Sequence, residues 1–228
     1  MFKRSLLIVG ALAIMAFAPA AQADWFDGFE DYQAGSELIG QGGWDGWLGD
    51  SLAGGEVTDS RSHTGANSFA CASTTDIVRV YEGYDAGQWI YTAWLYLAPH
   101  FVGENYFITL NTYVEFQTWS VKIHFIDGEV RGDTQEGYWP LPWIAGEWAE
   151  IRLEIDLDAD IQTVYYGGEL LYTYSWSQGV SGGGQAVIEA VDLFGNGART
   201  VYYDDMSLMP AAVATEEMSW SDIKSLYR

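Results

Sequence analysis

The sequence predicts an all-β domain, a two-sheet sandwich or a barrel of about a dozen short antiparallel strands. Three observations predict it. Apolar residues recur at every second position, Gly, Asp and Asn interrupt the runs, and helical periodicity is almost absent before residue 210. A 49% hydrophobic content in 228 residues suffices for one full core, so a single domain is expected at 24–209.

In chain order, strands are expected at 25–29, 56–58, 68–72, 77–81, 88–97, 106–113, 119–126, 148–156, 161–166, 169–174, 185–194 and 201–208. The clearest is 148–156. Ala149, Ile151, Leu153 and Ile155 point one way, and Trp148, Glu150, Arg152, Glu154 and Asp156 the other, so the strand is half buried. Asp127-Gly128 and Gly167-Gly168 suit two-residue hairpins that need positive φ. Gly182-Gly183-Gly184 reads as a flexible joint before the next strand, and it lacks the Lys and the following helix of a phosphate cradle.

The two ends differ from the middle. Residues 1–23 have the anatomy of a cleaved signal peptide: Lys3 and Arg4, an apolar run from Leu6 to Phe17, then Ala21-Gln22-Ala23. The run is shorter than the ~20 residues of a membrane span. Export places the mature chain outside the cell or on its surface, with the periplasm as the alternative. Residues 210–228 are expected to form a linker and a short helix, opened by the capping pattern Ser219-Trp220-Ser221-Asp222.

Charge excludes two partner classes. With 32 acids against 10 bases the net charge is −22, which argues against nucleic acid and against an anionic membrane surface. Cys71 is alone in a short apolar run and is expected as a buried thiol. His63, His100 and His124 are the only histidines, so zinc sites of Cys/His type are excluded by count.

Phe29-Glu30-Asp31-Tyr32, Gly40-Gln41-Gly42-Gly43-Trp44-Asp45-Gly46-Trp47, Ile155-Asp156-Leu157-Asp158 and Tyr202-Tyr203-Asp204-Asp205-Met206 resemble, in that order, segments of the secreted bacterial concanavalin A-like, laminin-G-like family. The resemblance covers about residues 25–209. It implies a two-sheet antiparallel jelly-roll sandwich whose concave sheet commonly presents a ligand surface. The tail, with Trp220 and Ile223-Lys224, is similar to short endings of other secreted bacterial proteins, and is a candidate sorting or docking signal.

Glu154-Ile155-Asp156-Leu157-Asp158 also resembles the paired-carboxylate signature of laminarinase-type hydrolases, where the first and last acids act as nucleophile and acid/base. Glu154, Asp156 and Asp158 are therefore the catalytic candidates of an alternative reading as a glycoside hydrolase. Against it, Asp158 is one methylene short for a retaining pair about 5–5.5 Å apart, and Asp158-Ala159-Asp160 reads as a turn. Asp156, Asp158 and Asp160 imitate a calcium loop, but Ile161 and Gly167 stand where Gly and Glu are required.

Trp and Tyr offer an apolar face beside a polar edge, which suits sugar rings. The candidates for a carbohydrate surface are Asn111, Tyr113, Trp119, Tyr138, Trp139 and Trp143, with His124 as a neighbour. Residues 138–143 are expected as a Pro-rigidified loop carrying three rings. The expected function is a secreted, non-catalytic module for polysaccharide or cell-surface glycan. A structural surface protein without a sugar site is a further alternative. No cofactor is required. The resemblance adds a candidate structural calcium where the two ends meet, with Glu30 and Asp205 as ligands. Alternation sends Asp204 and Asp205 to opposite faces, leaving Asp204 to cap a turn or meet Arg199.

Overall fold

The computed structural model describes residues 25–211; the leader and the C-terminal helix expected from the sequence lie outside the described residues. The described chain forms fifteen strands: β1 (Trp25–Asp27), β2 (Trp44–Gly46), β3 (Glu56–Thr58), β4 (Ser68–Cys71), β5 (Asp76–Val80), β6 (Gln88–Leu97), β7 (Glu104–Thr112), β8 (Thr118–Ile126), β9 (Glu129–Thr134), β10 (Gly137–Pro142), β11 (Trp148–Asp156), β12 (Ile161–Tyr166), β13 (Glu169–Ser175), β14 (Ala190–Asn196) and β15 (Val201–Pro210). All strand pairs are antiparallel.

They make two sheets. The eight-stranded sheet runs β13-β12-β11-β6-β15-β4-β3, with β1 also on β15; the seven-stranded sheet runs β10-β9-β8-β7-β14-β5-β2. Neither order follows the chain, so consecutive strands pass repeatedly from one sheet to the other, as in a sandwich. β11 alternates as its sequence dictates, with Ile151, Leu153 and Ile155 buried between the sheets and the charged positions outside. The core is aromatic-rich: Trp44, Phe69, Trp89, Tyr91, Phe107 and Tyr203 are fully buried.

One group of polar side chains in this core is paired. Tyr203 donates to Asn105 Oδ1, and Asn105 Nδ2 approaches Cys71 Sγ at 3.1 Å. Burial pushes the Cys71 thiol up to about 12, so it stays protonated as a small core residue. Asp127 and Gly128, and Gly167 and Gly168, take positive φ in the two-residue turns joining β8 to β9 and β12 to β13.

Three strands depart from expectation, β2, β9 and β10, and the last alters the site. The expected loop 138–143 is mostly strand: β10 pairs with β9 from Gly137–Thr134 to Pro142–Glu129. Proline is tolerated there because β10 is the edge of its sheet, where ladder donors are not all needed. The consequence for the site is direct, since alternation now sends neighbouring rings to opposite faces.

Candidate functional site

The outer face of the seven-stranded sheet is built from rows that cross the strands. Its middle row is Val78, Asp192, Ile108, Lys122, Asp133 and Tyr138, one from each of β5, β14, β7, β8, β9 and β10. Beside it runs Asp76, Phe194, Tyr106, His124, Arg131 and Pro140. On the other side lie Val80, Ala190, Leu110 and Trp119.

Rings from the flanking rows wall part of the middle one. Tyr106 stacks on His124 at 4.2 Å and on Phe194 at 5.4 Å, forming one wall of rings. Trp47, from a single turn after β2, meets Tyr113 edge-on at 5.1 Å and with Trp119 forms the opposite wall. Between them is a cleft of about 310 Å³ lined by Trp47, Asp76, Tyr106, Ile108, Trp119, Lys122, Asp192 and Phe194.

This cleft holds unusual polar groups. Trp119 Nε1 is buried without an acceptor, and Asp192 Oδ1 is buried without an N–H or hydroxyl donor. Asp192 is only 4% exposed, and the carboxyl that faces it is Asp76. Two carboxyls in contact stay together by sharing a proton. Burial pushes both up from their ordinary value, Asp192 well above it. Burial likewise holds the His124 imidazole below its ordinary value, against the pull of Glu104 at 3.7 Å. Unpaired buried donors are uncommon in folded proteins, and this one belongs to a ring that lines the cleft.

The cations of this face are already held. Lys122 Nζ lies 2.6 Å from Asp133, and Arg131 Nε lies 2.9 Å from Glu129. The Arg131 guanidinium also sits 5.0 Å from the centre of the Tyr138 ring.

The six expected sugar-contact residues divide among three places. Trp119 lines the cleft, and Tyr138, 55% exposed, continues its middle row. Tyr113 braces the Trp47 wall and accepts the Leu48 N–H through its hydroxyl. Asn111 is buried, donating to the Trp176 carbonyl and accepting from Thr118. Trp139 turns to the other face of its strand, towards Tyr172, and Trp143 packs edge-on against Phe101. Trp47, Asp76, Tyr106, Lys122, Asp192 and Phe194 escaped the sequence reading. An acid inside the apolar run Ala190-Val191-Asp192-Leu193-Phe194 is the signal that could have found one of them.

The catalytic candidates lie on the eight-stranded sheet. Glu154 pairs with Arg152 at 2.7 Å. Asp156 accepts from Gln88 Nε2 and the Ala159 N–H. Asp158 is in the turn after β11, as expected, and accepts the Gly87 N–H. A hollow of about 390 Å³ includes Glu154 and Asp156 but not Asp158.

Glu30, Asp204 and Asp205 do converge, on the loop 61–67. Glu30 Oε1 accepts from the Ala66 and Asn67 N–H groups. Asp204 Oδ2 accepts from the His63 and Thr64 N–H groups. Asp205 pairs with His63 Nδ1 at 2.6 Å and accepts from Thr64 Oγ1. The expectation that alternation separates Asp204 from Asp205 fails because β15 bulges there and Asp205 takes φ +42°. Arg199 reaches the His100 carbonyl instead of Asp204. Calcium wants six to eight oxygens. Most of these carboxylate oxygens already accept from N–H and O–H donors, and among the described residues no three His, Cys, Asp or Glu side chains are grouped to hold a metal ion.

No family model and no curated protein matches the chain. Among solved structures it is similar to a sialidase, with a TM-score of 0.52 at 10% identity over 78% of this chain and 18% of that one. It is also similar to "Cellulose induced protein, Cip1" (0.49, 14% identity, 82% and 91%). A third is a serotype D botulinum neurotoxin ligand-binding domain in complex with N-acetylneuraminic acid (0.44, 13% identity, 78% and 47%). The chain spans under a fifth of the sialidase's length. At such identity the likeness establishes the fold, a two-sheet β-sandwich.

Proposed function

We propose that this protein is a secreted glycan-binding module whose ligand lies in the cleft on the outer face of the seven-stranded sheet. The observation that carries the reading is the cleft itself, walled by the rings of Trp47, Trp119, Tyr106 and Phe194 and lined by the Asp76 and Asp192 carboxyls. A sugar hydroxyl both donates and accepts, so one ring can meet the Asp76 carboxyl while its apolar face meets Trp or Tyr. The likeness to a sialidase is one of fold, and it is compatible with this reading.

The hydrolase reading on Glu154 and Asp158 has less support, because Arg152 holds Glu154 and the turn carries Asp158 off the strand. Among the described residues no helix is long and apolar enough to cross a membrane.

A glycan array probed with the exported chain tests the reading, with Trp119→Phe and Asp192→Asn beside it. Binding to one glycan class that either substitution weakens about tenfold supports it. No glycan bound, or binding that both variants retain, overturns it. Reducing-end release abolished by Glu154→Gln would move the function to the other sheet.

A further inference from the structure

The cleft is one end of a longer track. Its floor row continues from Asp192 through Ile108, Lys122 and Asp133 to Tyr138 without leaving the outer face. That is four strand spacings, about 19 Å. A hexose unit in an extended chain is about as long as one strand spacing, so the row offers room for roughly four units. Tyr138 stands at the far end, exposed, on the edge strand, with Arg131 beside its ring.

The charges along the track select a ligand class. Recognition of a sugar carboxylate requires a cation free to bind it, commonly the fork of an arginine. Lys122 is held by Asp133, Arg131 by Glu129, and the His124 ring lies beside Glu104. Asp76 and Asp192 occupy the deep end, where they repel an anion and accept from hydroxyls. The chain as a whole carries −22, which slows the approach of any polyanion.

Resting on the glycan-binding reading above, we infer that the ligand is an uncharged linear glycan laid across the strands, anchored over Asp192 and Trp119 and ending against Tyr138, and that acidic glycans are excluded. The track does not recognise sialic acid, although one of the similar structures holds it.

The test is isothermal titration of the exported chain with gluco-, xylo- and manno-oligosaccharide ladders from dimer to hexamer, alongside sialyllactose and oligogalacturonate. One neutral ladder binds, its affinity rises about tenfold or more between dimer and tetramer, and then it levels off. Tyr138→Ala removes that gain while leaving the dimer's affinity unchanged, which a folding defect would not do. Equal or tighter binding of an acidic oligosaccharide overturns the inference. So does affinity independent of chain length, or a length gain that Tyr138→Ala leaves intact. In those outcomes Trp119→Phe still weakens binding and the cleft reading stands. Absence of all binding, or binding that Trp119→Phe leaves unchanged, removes both.

Discussion

On the eight-stranded sheet, Glu30, Asp204 and Asp205 together accept from four backbone N–H groups of one loop, a threonine hydroxyl and a histidine ring. On the seven-stranded sheet, Asp76 and Asp192 answer each other. The residue types are alike and both groups lie on outer faces, but their hydrogen-bond accounts are opposite. The first group fastens the loop 61–67 to the junction of the chain's two ends. His63 adds to the fastening by stacking on Trp94 at 3.9 Å. The second group gives the fold little and leaves acceptors for something from outside. An acid's role is set by the donors the fold brings to it, and the count of acids in a sequence is silent on that.

The comparison breaks most visibly at Asp204. Asp204→Ala strands the His63 and Thr64 N–H groups, and the expected loss is about 2–3 kcal/mol, or roughly 5–10 °C in Tm. Oligosaccharide affinity of the folded variant stays at the wild-type value. Thermal melts paired with titrations check both halves.

Asp192→Asn has the opposite signs. An amide can donate to Asp76 without the shared proton, so stability at neutral pH rises by about 1 kcal/mol, roughly 2–4 °C. Affinity falls about tenfold, because the ligand loses a carboxyl from the cleft lining. A variant that loses stability and keeps affinity would reverse the assignment of the two acid groups.

Acidity sharpens the contrast further. Burial pushes the Asp204 carboxyl up to about 6, against its N–H donors, and pushes Asp76 and Asp192 up as well. These acids bind protons more readily folded than unfolded. Their contribution to stability is therefore present at low pH and declines as pH rises from the ordinary carboxylate range to about 6. Tm is expected to be higher near about pH 5 than near about pH 7.5, with a smaller gap in Asp192→Asn. A melting series across that window measures it.

The smallest effect is expected at Glu30. Glu30→Gln keeps an oxygen for the Ala66 and Asn67 N–H groups and should cost about 1 kcal/mol or less. Because loop donors occupy these oxygens, chelator and millimolar calcium should leave Tm within ~1 °C. A chelator-induced fall in wild type that Glu30→Gln abolishes would place calcium at this junction.

The legible parts of the sequence were those governed by local periodicity. β11 and the hairpins at Asp127-Gly128 and Gly167-Gly168 announce themselves through alternation and turn chemistry. β10 was hidden by Pro140 and Pro142, and β2 by having three residues. The bulge that brings Asp204 and Asp205 to one loop leaves no trace in alternation. Trp119 and Tyr138 could be picked out as polar aromatics. Asp76, Tyr106 and Asp192 could not be joined to them, because register across β5, β14, β7 and β8 assembles the cleft from distant parts of the chain.

The indole N–H groups give the most direct test of where the ligand lies. Those of Trp44, Trp89, Trp148 and Trp176 donate to acceptors within the protein, whereas that of Trp119 has none. In a ¹H–¹⁵N spectrum titrated with a neutral tetrasaccharide that binds, assigned through Trp→Phe variants, the Trp119 indole signal should shift and those four should stay in place. A Trp119 signal that stays fixed while Trp148, on the opposite sheet, moves would contradict the account.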